Sequence, residues 1–224
     1  MDTPTPTSAA RDTNATSEFN AAFPPQTTVL GVRLLPLSLG RYRIMKWADV
    51  AFVSDEERGA TGEDLFTAIA ICGMTCADFK RLVSERRLEK EMHKWGKSLR
   101  KRIRKEKGFN LFEKFGLFKN YIEEGQKIPW VALSIQKDET TDYTHTHWAE
   151  SVEVVLRGQL GWTKLEIEEE PLSKALTDYF KHMENQGNVR LMPHDLYAQM
   201  VSEGEANAAA FEKLAARQEA TCPA

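Results

Sequence analysis

Few residues in this sequence have the types and spacing that chemistry at a site requires. His145 and His147 are two residues apart, so an extended segment would place both imidazole rings on one side, a spacing that metal ions use. Asp142 and Glu150 add oxygen donors nearby. The other histidines are isolated, and the pair would equally suit a solvated linker or a cap for a helix at Trp148. We predict no metal site, although the sequence leaves open whether the pair binds a metal.

The remaining nucleophiles and acids have no evident activating partner. Cys72 and Cys76 fit neither the spacing of a zinc knuckle nor that of a redox Cys-x-x-Cys pair, so they are expected to be buried or capping thiols. The acidic run at 166–170 is typical of a solvated helix start. There is no glycine-rich phosphate loop and no Gly-x-Ser-x-Gly motif. The sequence therefore predicts no catalytic residue, no cofactor and no enzymatic activity.

The strongest signal in the sequence is electrostatic. The segment 80–107 carries 13 Lys and Arg against 4 Asp and Glu, although the whole chain has a formal net charge of −3. This charge indicates association with an acidic protein or a nucleic acid, or a solvated face whose Lys and Arg stems cover apolar surface. The segment is expected to form one long helix over residues 75–107. Its predicted basic surface consists of Lys97, Arg100, Lys101, Arg102, Arg104 and Lys105.

Two apolar stripes in this segment face different directions. Phe79, Leu82 and Val83 share one face of a helix. At about 100° per residue, the second stripe is rotated by roughly 150° from the first. Either the chain bends between Ser84 and Arg87, or the two halves of one helix pack on different partners. The second set, called the Trp95 stripe below, consists of Leu88, Met92, Trp95, Leu99 and Ile103.

We predict that the Trp95 stripe is an intermolecular surface, buried against a second copy or a client helix. Trp95 would be its anchor, because a large aromatic side chain ringed by long cations often dominates helix-mediated contacts. The alternative is that Phe112, Phe115 and Phe118 fold back in an antiparallel hairpin and cover the stripe within the chain.

Helix start and stop signals predict a mainly α protein, a multi-helix bundle with the basic helix at its centre. A helix beginning at Thr61 is expected to be core, and glycines such as Gly73 and Gly187 are expected to end helices. Short terminal helices are expected at 193–200 and 206–217. No segment shows the sustained period-two alternation of a strand. The predicted N-cap residues are Ser38, Thr61, Thr75, Asn110 and Thr163.

Composition divides the chain into four predicted segments. Residues 1–29 are rich in Thr, Ala, Pro and Asn and are expected to form a disordered tail. Residues 30–128 form a helical domain that contains the basic helix. The Thr-rich segment 129–145 is a predicted linker, and residues 146–224 form a C-terminal helical unit.

Three stretches, LLPLSLGRYRIMKWADVAFV, GEDLFTAIAICGMT and HWAESVEVVLRGQLGWTKLEIEEEPLSKALTDYF, carry a family resemblance. A helix with Trp148, Val152 and Leu156 on one face, followed by the turn LGWT at 160–163, resembles the small helical tail assembly chaperones of tailed bacteriophages and prophages. The resemblance covers about residues 30–185. It implies a non-enzymatic cytoplasmic factor that coats the hydrophobic helical tape measure protein during tail assembly.

The sequence thus predicts a phage tail assembly chaperone that binds a tape-measure-like helical client or a second copy of itself. The alternative is a nucleic-acid-binding protein that uses the basic helix at 80–107. Trp95 is the only aromatic residue between Phe79 and Phe109, so this alternative would rest on phosphate contacts and not on base stacking. No apolar run approaches the length of a membrane span, and three cysteines without a disulfide framework indicate a reducing cytoplasm.

Overall fold

The computed structural model describes residues 19–54, 58–134, 147–205 and 208, and it confirms a mainly helical fold. Four short strands form two separate antiparallel pairs, β1 with β2 and β3 with β4. The elements in chain order are α1 (residues 19–22), β1 (Thr28–Val29), β2 (Val32–Arg33), α2 (Leu39–Trp47), a 3₁₀ turn (Ala51–Val53), α3 (Gly62–Cys72), α4 (Cys76–Ser84), α5 (Leu88–Lys105), α6 (Leu111–Gln126), β3 (Trp130–Ser134), α7 (Trp148–Gly158), α8 (Lys164–Glu169), α9 (Leu172–Asn185), β4 (Val189–Pro193) and α10 (residues 194–205).

Helix α3 is the centre of the hydrophobic core, as its sequence predicts. Most of its residues from Leu65 to Cys72 are buried, including Leu65 and Ile69 on one face and Ile71 on another. A helix that is apolar all round must be covered on every side. Helices α2, α5 and α6 pack around α3 and provide that cover.

The predicted N-caps are confirmed by hydrogen bonds. The side chains of Ser38, Thr61, Thr75, Asn110 and Thr163 each accept a backbone N–H in the first turn of α2, α3, α4, α6 and α8. In α3 and α8 the acidic residue at the third position also accepts the backbone N–H of the cap, which completes a capping box.

The predicted helix over 75–107 is in fact two helices, α4 and α5. Arg86 between them adopts a left-handed conformation with φ of 55°. The N–H groups of Arg86 and Arg87 donate to the carbonyls of Val83 (3.0 Å) and Leu82 (2.8 Å), which closes the C-terminus of α4. Of the two alternatives for the mismatched stripes, the structure therefore shows the bend between Ser84 and Arg87. The bend directs the Trp95 stripe toward a different neighbour from the stripe on α4.

Strands β3 and β4 were not predicted from the sequence, and their five-residue register pairs Trp130 with Pro193 and Ser134 with Val189. Neither strand has one buried and one exposed face: in β3 the first residue is buried, the next three are half-buried and the last is exposed. A strand of this kind needs no period-two alternation, which explains the missing signal. Residue 193 consequently ends a strand, and helix α10 runs from 194 to 205. Most of the second predicted terminal helix, 206–217, lies outside the described residues.

The two predicted helical units, 30–128 and 146–224, share one hydrophobic core. A single buried cluster contains Leu37 and Phe118 from the first and Val152 and Leu172 from the second. Most of the predicted linker, residues 135–145, lies outside the described residues, and its first part contains β3.

The predicted disordered tail of 1–29 is too long. Residues 1–18 lie outside the described residues, whereas Val29 is fully buried and Ala21 is 6% exposed. The hydroxyl of Ser173 in α9 donates to the carbonyl of Ala21. This contact fixes α1 against α9 although the segment has few apolar residues.

An ion pair between the buried Arg41 and the half-buried Glu169 joins α2 to α8. Arg41, which is 2% exposed, donates through Nη2 to Oε2 of Glu169. Its other nitrogens donate to the carbonyls of Met74 (3.2 Å) and Pro36 (3.1 Å), and Oε1 of Glu169 accepts the backbone N–H of Cys76 (2.7 Å). The acidic run at 166–170 is therefore not simply solvated, because one of its carboxylates holds three segments of the chain together.

Asp64 secures the start of α3 in a similar way. Its carboxylate accepts the N–H groups of Thr61 (2.8 Å) and Ala51 (3.2 Å) and pairs with Arg58 (3.0 Å). Burial raises the pKa of Asp64, but the hydrogen bonds from Thr61 and Ala51 outweigh this effect, so its pKa lies below the ordinary value.

Replacing Glu169 with Ala should lower the free energy of unfolding by about 3–5 kcal/mol, because it leaves the Arg41 charge buried and unpaired. Urea unfolding measures this loss. The control is Glu170→Ala, which removes only the exposed pair with Lys174 and should cost less than about 1 kcal/mol. Equal losses in the two variants would contradict the structural role of the buried pair.

The variant Asp64→Asn should be less stable than the wild type at neutral pH. Since the folded-state pKa is depressed, the contribution of the carboxylate is present above its unfolded pKa, ordinarily 3.8, and is lost as the pH falls through the folded pKa. The difference in urea midpoint should therefore shrink at acid pH. Glu63→Gln, at an exposed position in the same turn, should show a much smaller change. A difference for Asp64→Asn that persists in acid would argue against this explanation.

Candidate functional site

The structure places the Trp95 stripe against the core of its own chain. Leu99 is buried, and the other four stripe residues are half-buried. The indole of Trp95 covers Gly73 at the end of α3, where an added Cβ would lie 3.2 Å from the ring. Met92 lines a cavity of about 160 Å³ with Phe66 of α3. The five residues predicted to bind a partner thus form a packing face, and they present little free surface.

The cover of the stripe also differs from the predicted alternative. Helix α3 packs on α5, whereas the phenylalanines of α6 turn elsewhere. Phe118 is buried with its ring 4.9 Å from that of Phe52, and Phe112 is 83% exposed. The bend at Arg86 explains this arrangement, because it directs the stripe toward α3.

The predicted basic surface lies mostly in solvent. Arg102 differs from the other cations because its guanidinium also contacts its own chain. It donates to the carbonyls of Leu30 (3.2 Å) and Gly31 in the turn between β1 and β2. The two acids of α5, Glu89 and Glu91, lie in its first turn. At about 100° per residue, the side opposite the Trp95 stripe carries seven exposed cations and no acid. This α5 basic face consists of Lys90, Lys94, Lys97, Arg100, Lys101, Arg104 and Lys105.

A groove of about 650 Å³ lies between α2, α4, α7 and α8. We call it the apolar groove because its lining includes the apolar residues Ile44, Trp47, Phe79, Val83 and Ile167. Ile44 and Trp47 are three residues apart on α2, and Phe79 and Val83 are four apart on α4, so each helix presents a pair of apolar side chains on one face.

Trp47 is the most exposed apolar residue of the groove. It is 69% exposed, and its ring meets that of Phe79 edge-on at a centroid distance of 6.2 Å. Val83 is 43% exposed beside them. A large aromatic side chain that rests on an apolar wall while remaining open to solvent is typical of an anchor for a bound partner.

The charged groups of the groove form two clusters, each with two cations that share one carboxylate. In the first, Glu153 of α7 pairs with Arg43 of α2 and with Arg157 (3.5 Å). In the second, Glu168 of α8 pairs with Lys80 of α4 and lies 4.0 Å from Lys164. Each cluster retains one positive charge, so the groove as a whole favours an anionic occupant.

The position of α8 makes the groove possible. Gly40 of α2 lies so close to α8 that an added Cβ would be 2.7 Å from the carbonyl oxygen of Glu168. A side chain at this position would push α8 away from α2. The glycine therefore brings Ile167 and Glu168 to the edge of the groove.

Cys76 lines the apolar groove, and its thiol has no nucleophilic character there. Burial raises the pKa of Cys76 to about 11. Its Sγ donates to the carbonyl of Glu168 at 3.1 Å. Burial likewise raises the pKa of Cys72 to about 12. Both predicted buried thiols are thus confirmed in place, and both stay protonated at neutral pH.

The histidine pair gains no second ligand in the described chain. His145 and Asp142 lie outside the described residues, and Nδ1 of His147 accepts the backbone N–H of Ala149 (3.3 Å) at the start of α7. The capping alternative is therefore confirmed for His147. Within the described ranges, no three His, Cys, Asp or Glu side chains come together as a metal site would require.

Sequence reasoning missed the apolar groove because its residues belong to separate weak signals. Trp47 belongs to an irregular apolar stripe on α2. Phe79 and Val83 belong to the short stripe of α4, which is a weaker signal in the sequence than the longer Trp95 stripe. One signal was present: the α4 stripe faces away from the Trp95 stripe, which requires a second packing surface. Its partners on α7 and α8 are more than 60 residues away in sequence, so only the fold brings them together.

No helix within the described residues combines the length and hydrophobicity that a membrane span needs. Comparison with known proteins adds no assignment, since no protein-family model matches the chain and no curated protein or solved structure matches it significantly.

Proposed function

We propose that the protein is a non-enzymatic assembly factor that holds an amphipathic helical segment of another protein in its apolar groove. The observation that carries this proposal is the exposed Trp47 beside Phe79 and Val83, on a surface with unbalanced positive charge. An apolar groove of this kind suits the apolar face of a helix, while its cations suit acidic residues at the borders of that face.

A tail assembly chaperone is the specific form of this proposal. The resemblance of residues 30–185 to that family supports a cytoplasmic role in which the client is a long helical protein such as a tape measure protein. The groove supports it by offering a site for short helical segments, many of which occur along such a client. The unreactive Cys76 and the paired carboxylates of Glu153 and Glu168 support binding and not catalysis.

A second candidate function, nucleic-acid binding, is favoured by the α5 basic face. Six of its seven cations form no ion pair with a described residue, and the seventh, Lys94, pairs with Glu91 (2.6 Å). The face extends for about 22 Å along α5 at 1.5 Å per residue. Such a row of cations suits the phosphates of a duplex, with no aromatic side chain placed for base stacking.

The first test uses a synthetic amphipathic helical peptide with Leu along one face and Glu at both borders of that face. It should bind the full chain more tightly than the same peptide with Lys in place of Glu. Trp47→Asp should weaken binding by about thirtyfold, the loss expected of an interface anchor worth about 2 kcal/mol. Fluorescence anisotropy of the labelled peptide measures the affinity.

The control for this test is Leu165→Asp. Leu165 of α8 is 66% exposed, close to the value for Trp47, but it does not line the groove. It should leave peptide affinity unchanged. Equal binding of the two peptides, or equal effects of the two variants, would refute the proposed function of the groove.

The second candidate predicts salt-dependent binding of a DNA duplex. Replacing Lys97 and Lys101 with Gln should reduce the slope of log affinity against log salt by about 1 for each lysine. The matched control replaces Lys119 of α6 and Lys127 directly after α6, which are also exposed but lie outside the α5 basic face. If both double variants bind alike, the α5 basic face is not a nucleic-acid site.

A further inference from the structure

Helix α10 has an exposed apolar face that the described chain leaves uncovered. At about 100° per residue, its four apolar side chains span an arc of roughly 140°. Glu203 borders this arc on one side and Glu205 on the other. The exposed fractions of the four side chains are 46% for Leu196, 38% for Tyr197, 50% for Met200 and 41% for Val201.

The chemistry of α10 complements that of the apolar groove. Its apolar arc matches the wall formed by Trp47, Phe79 and Val83, and its bordering carboxylates match the two clusters that each retain one positive charge. Three acids, Asp195, Glu203 and Glu205, give α10 the negative charge that the groove favours.

We propose that α10 of one copy docks in the apolar groove of a second copy of this chain. This inference rests on the proposed function, since it names an occupant for the same groove. A second copy is required because α10 is held elsewhere in its own chain. The strand β4 that precedes it pairs with β3, and Nε2 of His194 lies 3.1 Å from the carbonyl oxygen of Ile128. None of these elements lines the groove.

In this dimer α10 of the second copy occupies the groove, so a client helix must displace α10 before it can bind. When each copy donates α10 to the other, the contact is reciprocal and closes as a two-fold dimer. Self-association and client binding then compete for Trp47. An acidic amphipathic client helix releases the dimer, and the dimer shields the exposed aromatic side chain before a client arrives.

Sedimentation equilibrium of the full chain tests the proposal. The wild type should form a dimer with increasing concentration, and Met200→Asp or Trp47→Asp should each weaken the dimer by at least about tenfold. Ser202→Asp on the polar side of α10 and Leu165→Asp outside the groove are the matched controls and should leave the dimer intact. A wild type that remains monomeric at about 100 µM overturns the proposal.

Mixing the two disruptive variants gives the decisive result. The Met200→Asp chain keeps an intact groove and the Trp47→Asp chain keeps an intact α10, so an equimolar mixture should form a heterodimer although each variant alone is a monomer. A mixture that stays monomeric overturns the proposal, as does a wild-type dimer that neither variant weakens.

A charge exchange keeps the test decisive if an Asp variant fails to fold. Glu203→Lys on α10 and Arg157→Glu in the groove should each weaken the dimer, and combining the two variant chains should restore association. Unfolding midpoints equal to that of the wild type show that folding is intact. No restoration in the mixture overturns the docking of α10.

The peptide test separates this inference from the proposed function. If the acidic peptide binds the groove but the wild type is monomeric, the inference fails and the proposed function stands. If the wild type dimerises through α10, Met200→Asp should bind the peptide more tightly than the wild type at high protein concentration, because its groove is empty. If neither the peptide nor α10 occupies the groove, both proposals fail.

Discussion

The fold depends on the buried charge of Arg41 and the carboxylate that pairs with it. A guanidinium that is 2% exposed is tolerated only when it is paired and its other donors are satisfied. Glu169 supplies the charge, and the carbonyls of Pro36 and Met74 supply acceptors. Since these groups come from α2, α8, the segment before α2 and the junction of α3 with α4, the ion pair fixes four parts of the chain at once.

The same pair explains why a groove forms beside it. Glu169 faces inward to Arg41, whereas its neighbour Glu168 faces the groove and pairs with Lys80. The two carboxylates therefore hold α8 on two of its sides, and Gly40 allows the close approach of α8 to α2. Because α8 has only six residues and little propensity to fold alone, these contacts determine the shape of the groove edge.

Local features of the fold were readable from the sequence, and long-range features were not. Caps such as Thr61 and Thr163 and the core role of α3 follow from residues within one or two turns. The mismatch of two stripes offered the bend near Arg86 as one of two alternatives. In contrast, the role of Arg41 depends on Glu169, which is 128 residues away, so the sequence indicated only polar residues in a helix and in an acidic run. The apolar groove was missed for the same reason, since its lining comes from four helices.

The two positive surfaces of the protein have different physical roles toward an anionic partner. The α5 basic face is exposed and carries seven charges of one sign, so its attraction acts at long range, accelerates association and weakens with salt. The cations of the apolar groove are few and already share carboxylates, so they add little attraction at a distance. Contact with Trp47 removes apolar area from water and therefore acts mainly on the rate of dissociation. Under the proposed function, raising the salt concentration should slow the capture of an acidic helix more than it shortens the lifetime of the complex, because the steering charge lies outside the groove that holds the helix.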